Sequence, residues 1–227
     1  MIATNEALKK VPLFSNLSAS ELESLSKEAS IREYEKNETI IHKQDEGDSF
    51  FSLVSGRVKV VLTDDEGKEF IVGILQPLEF FGEMALLDGE PRSASVVAIE
   101  KTEVIVLKRE DFLRQFTTNP EMAKKVIAVL GKRLRHANEH IESLVFLDVC
   151  GRLARVLLDL AAETGKEMDD GIEFTVSHSR TELANLVGTT RETLTRALKT
   201  LETMSYIRIR KNTFVITNTT GLKNRMY

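Results

Sequence analysis

A long stretch of helical periodicity constrains the fold of this chain more than any other feature. Asn119-Pro120-Glu121 predicts a helix N-terminus, with Asn as the cap and Pro in the first helical position. Apolar residues then recur at steps of three and four, and we call them the seam: Ile127, Leu130, Leu134, Ala137, Ile141 and Leu144. A single apolar stripe on a long polar helix needs a partner, and its regularity favours a parallel homodimer over packing against the same chain.

The residues before this helix carry a different pattern. Ser18 and Glu21 have the spacing of a capping box and predict a short helix that continues to about Ala29. From Ile31 to Lys108, short apolar or alternating runs are separated by turn signals, which predicts an antiparallel barrel or jelly roll. The clearest of these runs are Phe50–Val54, Val58–Leu62, Phe70–Leu75 and Val104–Leu107.

The residues after the long helix predict a small domain with two helices around a tight turn. A first helical stripe consists of Leu153, Val156, Leu157 and Leu160, and the chain from Gly165 onward is interpreted as a loop. Gly188 supplies the turn, and Thr189 or Thr190 caps the second helix. The inward-facing residues of that second helix are Leu194, Leu198 and Leu201. Residues 206–216 are typical of a hairpin, which completes a winged helix-turn-helix.

The predicted fold class is therefore α+β, with three regions. Residues 1–116 form an N-terminal antiparallel jelly-roll or barrel domain. Residues 117–146 form the long dimerisation helix, and residues 147–227 form the winged helix-turn-helix domain.

Composition excludes several classes of protein. The single cysteine, Cys150, is incompatible with a disulfide framework or a cluster that needs several thiolates. The histidines are scattered, and only His42 lies in the predicted barrel, so neither a metal site nor a metal-dependent enzyme of the barrel type is expected. We expect no catalytic residues and no cofactor. The N-terminus lacks a signal peptide pattern and no apolar run approaches a membrane span, so a cytoplasmic protein without membrane contact is expected.

The run from Phe80 to Ser95 combines groups that suit a small phosphorylated sugar. The residues concerned are Gly82, Glu83, Met84, Ala85, Arg92 and Ser93. The glycine permits close backbone approach, and the next amides open a helical turn whose positive end favours an anion. The arginine fork and the serine hydroxyl suit phosphate oxygens, whereas the glutamate is an acceptor for a sugar hydroxyl. A plain hairpin connection with a surface arginine is the alternative for any one of these residues.

The second helix of the helix-turn-helix presents polar side chains outward. Those on the outer side are Arg191, Glu192, Thr195, Arg196 and Lys199. The first turn of a recognition helix enters the major groove of double-stranded DNA. Arg191 and Arg196 are therefore predicted to read guanine, and Glu192 is predicted to read cytosine. Glu192 could instead complete a capping box with Thr189. Further predicted DNA contacts, mostly to phosphates, are Arg180, Thr190, Thr193, Arg210 and Lys211. A mildly basic C-terminal region, with 12 Lys and Arg against 10 Asp and Glu from Leu147 onward, agrees with this.

The order of these features resembles the Crp/Fnr family of bacterial regulators, and it is most similar to the cyclic AMP receptor protein branch. Leu147-Asp148-Val149-Cys150-Gly151-Arg152 and Thr190-Arg191-Glu192-Thr193-Leu194-Thr195-Arg196 carry that similarity beside the run from Phe80 to Ser95. The resemblance implies that the Gly82–Ala85 turn, Arg92 and Ser93 hold the ribose and cyclic phosphate. It also implies a TGTGA-like half-site read by the recognition helix, a homodimer, and RNA polymerase as a partner.

The same resemblance implies cyclic AMP as the allosteric ligand, with one departure. Where the best-known member of the branch has a Thr-Ser pair, this chain has Ala137 and Asn138. Asn138 retains a group that can bond a base edge, whereas Ala137 has no polar atom. Arg133 is a further predicted lining residue. Cyclic GMP or another nucleotide therefore stays open as the ligand.

Two other functions stay open at this point. The chain could be a Crp/Fnr-type regulator that responds to a different effector or to none. It could also be a cyclic-nucleotide-binding module that controls a protein partner through its C-terminal helices. The outward Arg191 and Arg196, with the basic hairpin tip, favour DNA.

Overall fold

The computed structural model describes residues 2–67, 69–176 and 178–226. The chain divides into two compact units, Met1–Leu134 and Arg135–Tyr227. Within the described residues, no helix is both long enough and apolar enough to cross a membrane.

The first unit begins with helices that cover one side of its sheets. Helix α1 (Ile2–Lys10) is followed by a 3-10 turn at Pro12–Phe14 and by α2 (Ala19–Glu28). Ser18 caps α2, and the Glu21 side chain accepts from the Ser18 amide at 2.7 Å, so the predicted capping box is confirmed.

Two four-stranded antiparallel sheets form the body of this unit, which confirms the predicted jelly-roll or barrel class. The strands are β1 (Ser30–Tyr34), β2 (Thr39–Ile41), β3 (Ser49–Ser55), β4 (Val58–Thr63), β5 (Glu69–Leu75), β6 (Phe80–Phe81), β7 (Ser95–Ala98) and β8 (Thr102–Lys108). One sheet has the order β1-β8-β3-β6 and the other the order β2-β7-β4-β5. The observed strands include all four predicted runs.

Strand β3 separates two hydrophobic cores, because successive side chains of a strand point to opposite faces. Phe51 and Leu53 face a core that also contains residues of the second sheet, such as Val58. Phe50 faces the helices and stacks on Phe112 with ring centroids 4.5 Å apart. The helices on this side are α1, α2, α4 (Arg109–Thr118), which contains Phe112, and the start of the long helix. A short helix, α3 (Glu83–Asp88), joins the two sheets between β6 and β7.

The long helix, α5 (Pro120–Phe146), starts where the sequence predicts. The Asn119 side chain accepts from the Met122 amide at 3.0 Å, which confirms the N-cap. Met122 and Val126 are buried in the helix-facing core of the first unit.

The seam is mostly exposed in the single chain. Ile127, Leu134 and Ile141 have 60–63% of their surface exposed, and Leu144 has 47%. Ala137 is exposed as well. Leu130 differs, because it is half-buried against the helix-facing core of the first unit.

After the end of α5, the second unit consists of four helices and a four-stranded sheet. Its elements are α6 (Val149–Thr164), β9 (Lys166–Met168), β10 (Gly171–Thr175), α7 (Arg180–Val187), α8 (Arg191–Thr203), β11 (Ile207–Arg210), β12 (Thr213–Ile216) and α9 (Thr219–Asn224). The sheet order is β11-β12-β10-β9. Its core consists of residues such as Leu153, Leu157, Leu194, Leu198 and Phe214. The predicted helix-turn-helix and hairpin are confirmed.

One expectation about this unit is wrong. The chain from Gly165 onward is not a loop, because β9 and β10 pair antiparallel as Gly171 with Met168 and Glu173 with Lys166. All three residues of β9 are exposed, so the strand has no alternation of apolar and polar side chains to reveal it.

Candidate functional site

The turn that opens α3 depends on Gly82. Gly82 has φ +82° in the left-handed region, and a Cβ there would lie 2.7 Å from Arg92 Nη1. The Gly82 carbonyl accepts from this same Nη1 at 2.7 Å. A residue with a side chain would therefore be strained at this position and would displace Arg92.

Arg92 is the buried cation beside this turn. It is 5% exposed, and its Nη2 donates to the Ser49 carbonyl at 2.8 Å. Burial lowers the pKa of Arg92, and the neighbouring carboxylates of Asp48 and Glu83 oppose that shift. Because an arginine stays protonated in proteins, the site keeps a full positive charge. Such a charge, fixed beside backbone amides, suits an anion.

Glu83, the first residue of α3, is a buried carboxylate. It is 1% exposed and accepts from Arg133 Nη1 at 2.8 Å. Arg133 also donates to the Phe80 carbonyl, and its guanidinium lies 5.2 Å from the centroid of the Phe80 ring. Among the described residues, nothing hydrogen-bonds the second carboxylate oxygen of Glu83, although that oxygen is buried. An unsatisfied carboxylate oxygen in this setting is an acceptor for a hydroxyl donor.

The other predicted ligand-binding residues occupy different environments. Met84 and Ser93 are exposed, and the Ser93 hydroxyl lies 3.9 Å from the Met84 sulfur. Ala85 is buried in α3. The structure thus brings together the predicted residues of the first unit around one helical turn. Asn138 belongs to the second unit, where it is exposed on α5.

Each helix of the helix-turn-helix has a side-chain cap at its N-terminus. Ser179 and Glu182 form a capping box at the start of α7, and Gly188 ends that helix in the left-handed region at φ +69°. Thr190 caps α8, since its side chain accepts from the Thr193 amide at 3.3 Å. The N-cap of α8 is therefore Thr190 and not Thr189. Glu192 does not form a capping box with Thr189, which was the structural alternative to base contact.

The outer face of α8 matches the predicted reading surface. Its exposed residues are Arg191, Glu192, Thr195, Arg196 and Lys199. The Thr195 hydroxyl donates to the Arg191 carbonyl at 2.8 Å, and Arg196 donates to the Thr193 hydroxyl at 3.1 Å. Arg191 and Glu192 lie in the first turn, which is the part of a recognition helix that reaches base edges.

The hairpin tip and α7 supply further cations. Arg210 and Lys211 are exposed at the turn between β11 and β12, and Lys211 has φ +56°. Arg180 is half-buried, with its guanidinium 5.3 Å from the centroid of the Phe214 ring. Arg180 is thus held against the core of the second unit by a cation–π contact.

The structure also contains polar residues that the sequence did not single out as functional. Arg152 donates to the Leu147 carbonyl at 2.9 Å, to Val187 at 2.9 Å and to Gly188 at 3.3 Å. It therefore joins the residue that follows α5 to the turn of the helix-turn-helix. No residue pattern predicts such bonds, because their acceptors are backbone carbonyls.

A second polar cluster joins α5 to α6. Arg155 donates to the Ser143 hydroxyl at 2.8 Å. Burial lowers the pKa of His140, and the positive charge of Arg155 lowers it further. Burial raises the pKa of Asp159, and the positive charge of Arg155 partly opposes that rise. The charged groups that act on His140 are Arg155, Asp159, His136 and Glu139.

Comparisons with known proteins identify two domains in this chain. Residues 31–119 match the cyclic nucleotide-binding domain, and residues 151–225 match the Crp-like helix-turn-helix domain. The cAMP-activated global transcriptional regulator CRP of Escherichia coli is 34% identical over 191 residues, which cover 83% of this chain and 90% of that protein. The CRP-like cAMP-activated global transcriptional regulator of Mycobacterium tuberculosis is 28% identical, with 97% and 99% covered.

A solved structure shows the same fold. The c-di-GMP responsive global regulator CLP of Xanthomonas campestris superposes with a TM-score of 0.75 at 28% identity, covering 88% of this chain and 99% of that one. The fold and the two matched domains define a transcription regulator that binds a cyclic nucleotide and carries a Crp-like helix-turn-helix. The chain belongs to the Crp/Fnr family of transcription regulators.

Proposed function

We propose that this regulator is gated by cyclic AMP and that, as a homodimer, it binds a palindromic DNA site with TGTGA-like halves. The observation that carries the proposal is the chemistry of the α3 turn, which places a buried cation and a buried carboxylate acceptor side by side. The relatives from E. coli and M. tuberculosis are named as cAMP-activated, which supports the same ligand.

The phosphate half of the proposed ligand belongs beside Arg92 and Ser93. Arg92 uses two of its N–H groups on the Gly82 and Ser49 carbonyls, so its planar fork is fixed in position before a ligand arrives. A guanidinium carries five N–H donors, and the remaining ones are suited to phosphate oxygens. The amides at the start of α3 add further donors.

The ribose half belongs beside Glu83. One Glu83 oxygen is held by Arg133, and the other is buried and without a hydrogen-bond partner among the described residues. A ribose 2′-hydroxyl would satisfy that oxygen. Gly82, Met84 and Ala85 complete the turn around the sugar phosphate, with Arg133 as the positioning residue behind Glu83.

The homodimer proposal depends on the seam. The seam, in which Ile127, Leu134 and Ile141 are 60–63% exposed, has the heptad spacing of a parallel coiled coil, in which an identical helix covers the stripe. A two-fold dimer presents two copies of α8, which suits a palindromic site with half-sites about 34 Å apart. Sedimentation equilibrium of the full chain measures this directly, and a monomer at micromolar concentration would contradict it.

Signal transmission would pass along α5 as a population shift. A hydroxyl on Glu83 alters the environment of Arg133, which stands on α5. Beyond the end of α5, Arg152 ties the Leu147 carbonyl to the helix-turn-helix turn. We expect ligand to favour one arrangement of the seam and of residues 146–151, and we expect DNA to tighten nucleotide binding in return. Contact with RNA polymerase at the promoter would follow DNA binding.

Calorimetric titration with cyclic AMP, cyclic GMP and cyclic di-GMP tests the ligand. The expected result is one cyclic AMP per chain, bound more tightly than cyclic GMP. Arg92→Ala should abolish the heat of binding while Arg208→Ala, which removes an exposed arginine paired with Asp170, should leave it unchanged. Equal affinity in wild type and Arg92→Ala would refute the phosphate role.

A cyclic dinucleotide is a second candidate ligand. It is favoured by Ala137, which has no polar atom at one position of the pair expected to contact the base, and by the response of the related regulator CLP to c-di-GMP. In the same titration, binding of cyclic di-GMP without binding of cyclic AMP would select it.

Gel-shift titration tests the DNA proposal, with a TGTGA palindrome and a random duplex at one fixed salt concentration. Arg196→Ala should weaken binding to the palindrome by about 1–3 kcal/mol and should relax the preference at one guanine. Arg208→Ala is again the matched control. An equal loss on both duplexes would instead assign Arg196 to a phosphate.

A further inference from the structure

Two arginines bind the same loop to the same short helix. The loop is Asp45–Ser49, which connects β2 to β3 and includes the first residue of β3, and the helix is α3. Arg92 donates to the Ser49 carbonyl at 2.8 Å and to the Gly82 carbonyl at 2.7 Å. Arg109 donates through one nitrogen to the Gly47 carbonyl at 3.1 Å and to the Ala85 carbonyl at 3.0 Å. Each arginine thus links one carbonyl of the loop to one carbonyl at the start of α3.

Arg109 is well anchored for this purpose. It is the first residue of α4, and its backbone amide donates to the Asp48 carbonyl at 2.8 Å. The loop and the helix also touch directly, because a Cβ on Gly47 would lie 2.5 Å from the Ala85 Cβ. The separation between Gly47 and Ala85 therefore has little freedom while Arg109 holds both carbonyls.

We propose that Arg109 is a positioning residue for the nucleotide site, acting through α3 without touching the ligand. This inference rests on the proposed function, since it concerns the turn that would hold the phosphate. Arg92 lies on the ligand side of the turn, whereas Arg109 holds the carbonyl of the third residue of α3. Without Arg109, the Gly47 and Ala85 carbonyls lose their donor, and the first turn of α3 is free to shift away from the loop.

The test compares three variants of the full chain with wild type. Arg109→Met removes both hydrogen bonds and keeps an unbranched side chain of similar length. Arg109→Lys keeps the charge but presents a single ammonium in place of the fork. Arg114→Met is the matched control, because Arg114 is an exposed arginine on the same helix that pairs with Glu28 and Asp111.

Two measurements are made on each variant. Amide hydrogen exchange without nucleotide should speed up at residues 83–89 in Arg109→Met by a larger factor than in β3 and β8, which report global opening. The dissociation constant for cyclic AMP should rise about tenfold, the loss expected when two part-buried carbonyls lose their donor and α3 is no longer held. Arg109→Lys should fall between Arg109→Met and wild type, and Arg114→Met should match wild type in both measurements.

Unchanged exchange at residues 83–89 in Arg109→Met would overturn the proposal. Faster exchange with an unchanged cyclic AMP affinity would also overturn it, because α3 would then move without effect on binding. If Arg109→Met does not fold, the same two measurements on Arg109→Lys, hydrogen exchange at residues 83–89 and the cyclic AMP dissociation constant, decide whether the proposal holds. If wild type binds none of the three cyclic nucleotides, the proposed function fails, and hydrogen exchange alone still decides whether Arg109 holds α3.

Discussion

Arg133→Met removes the guanidinium that pairs with Glu83 and keeps most of the apolar stem. The two charged atoms are 2.8 Å apart, so their attraction at an effective dielectric constant of about 20 is about 6 kcal/mol before desolvation is counted. Removing one partner of a buried pair typically destabilises a protein by about 3–5 kcal/mol. Because the Arg133 side chain is 31% exposed while that of Glu83 is 2% exposed, we expect a loss of about 2–3 kcal/mol in the free energy of unfolding of the first unit.

Native-state hydrogen exchange of β3 and β8 measures this free energy for the first unit alone, because these central strands report its global opening. The exchange is followed without nucleotide and at one protein concentration. Lys101→Met is the matched control. It breaks an ion pair with the same 2.8 Å distance, but the side chains of Lys101 and Glu33 are more than 60% exposed, and the exchange should not change.

A double variant separates charge from packing. Glu83→Gln combined with Arg133→Met removes the unpaired carboxylate and should recover about half of the loss. Recovery stays incomplete because the Glu83 carboxylate also stabilises the charged form of Arg92, and the Gln side chain does not. If Arg133→Met and Lys101→Met cause the same loss, or if the double variant is no more stable than Arg133→Met, burial of the pair does not determine its strength and the reasoning is refuted.

Two further predictions concern the second unit. Thr190→Ala removes the α8 cap and should lower the free energy of unfolding, measured by urea titration, by about 1 kcal/mol. Thr189→Ala removes a hydroxyl one residue earlier and should have a smaller effect. Equal losses in the two variants would contradict the assignment of the cap. Burial and the charge of Arg155 lower the pKa of His140 in the folded chain below its ordinary value of 6.5. As the pH falls through 6.5, His140 is therefore protonated more readily in the unfolded chain than in the folded chain. Wild type should therefore lose thermal stability between pH 7.5 and 5.5 relative to His140→Gln, and parallel melting curves for the two proteins would refute this.

Features that depend on neighbouring residues could be predicted from the sequence. The caps at Ser18, Ser179 and Asn119 require a polar side chain and an amide only three residues away, and the structure contains all three. The barrel strands were also predictable, because strands buried on one or both faces give apolar runs or alternation. Helix α4 was not predicted, since no side chain caps its N-terminus.

Contacts between distant residues lie beyond such patterns. Glu83 and Arg133 are fifty residues apart, and Arg109 bonds a carbonyl sixty-two residues away. The sequence identified Glu83 and Arg92 by residue type but did not assign them partners within the protein. Glu83 pairs with Arg133, and Arg92 bonds two carbonyls, a group that is present on every residue. Only the tertiary fold decides which carbonyl a buried arginine reaches.

The uninterrupted course of α5 restricts how its length can change. Each residue of an α-helix turns the chain by 100° and advances it by about 1.5 Å. One residue inserted between Leu134 and Ala137 would rotate the second half of the stripe by 100° against the first half, so the two halves could no longer lie against one straight partner. Seven inserted residues would return the stripe to within about 20° of its line. Natural length variation in this helix should therefore come in steps of seven or eleven residues, whereas a turn such as Asp64–Gly67 can gain or lose single residues freely.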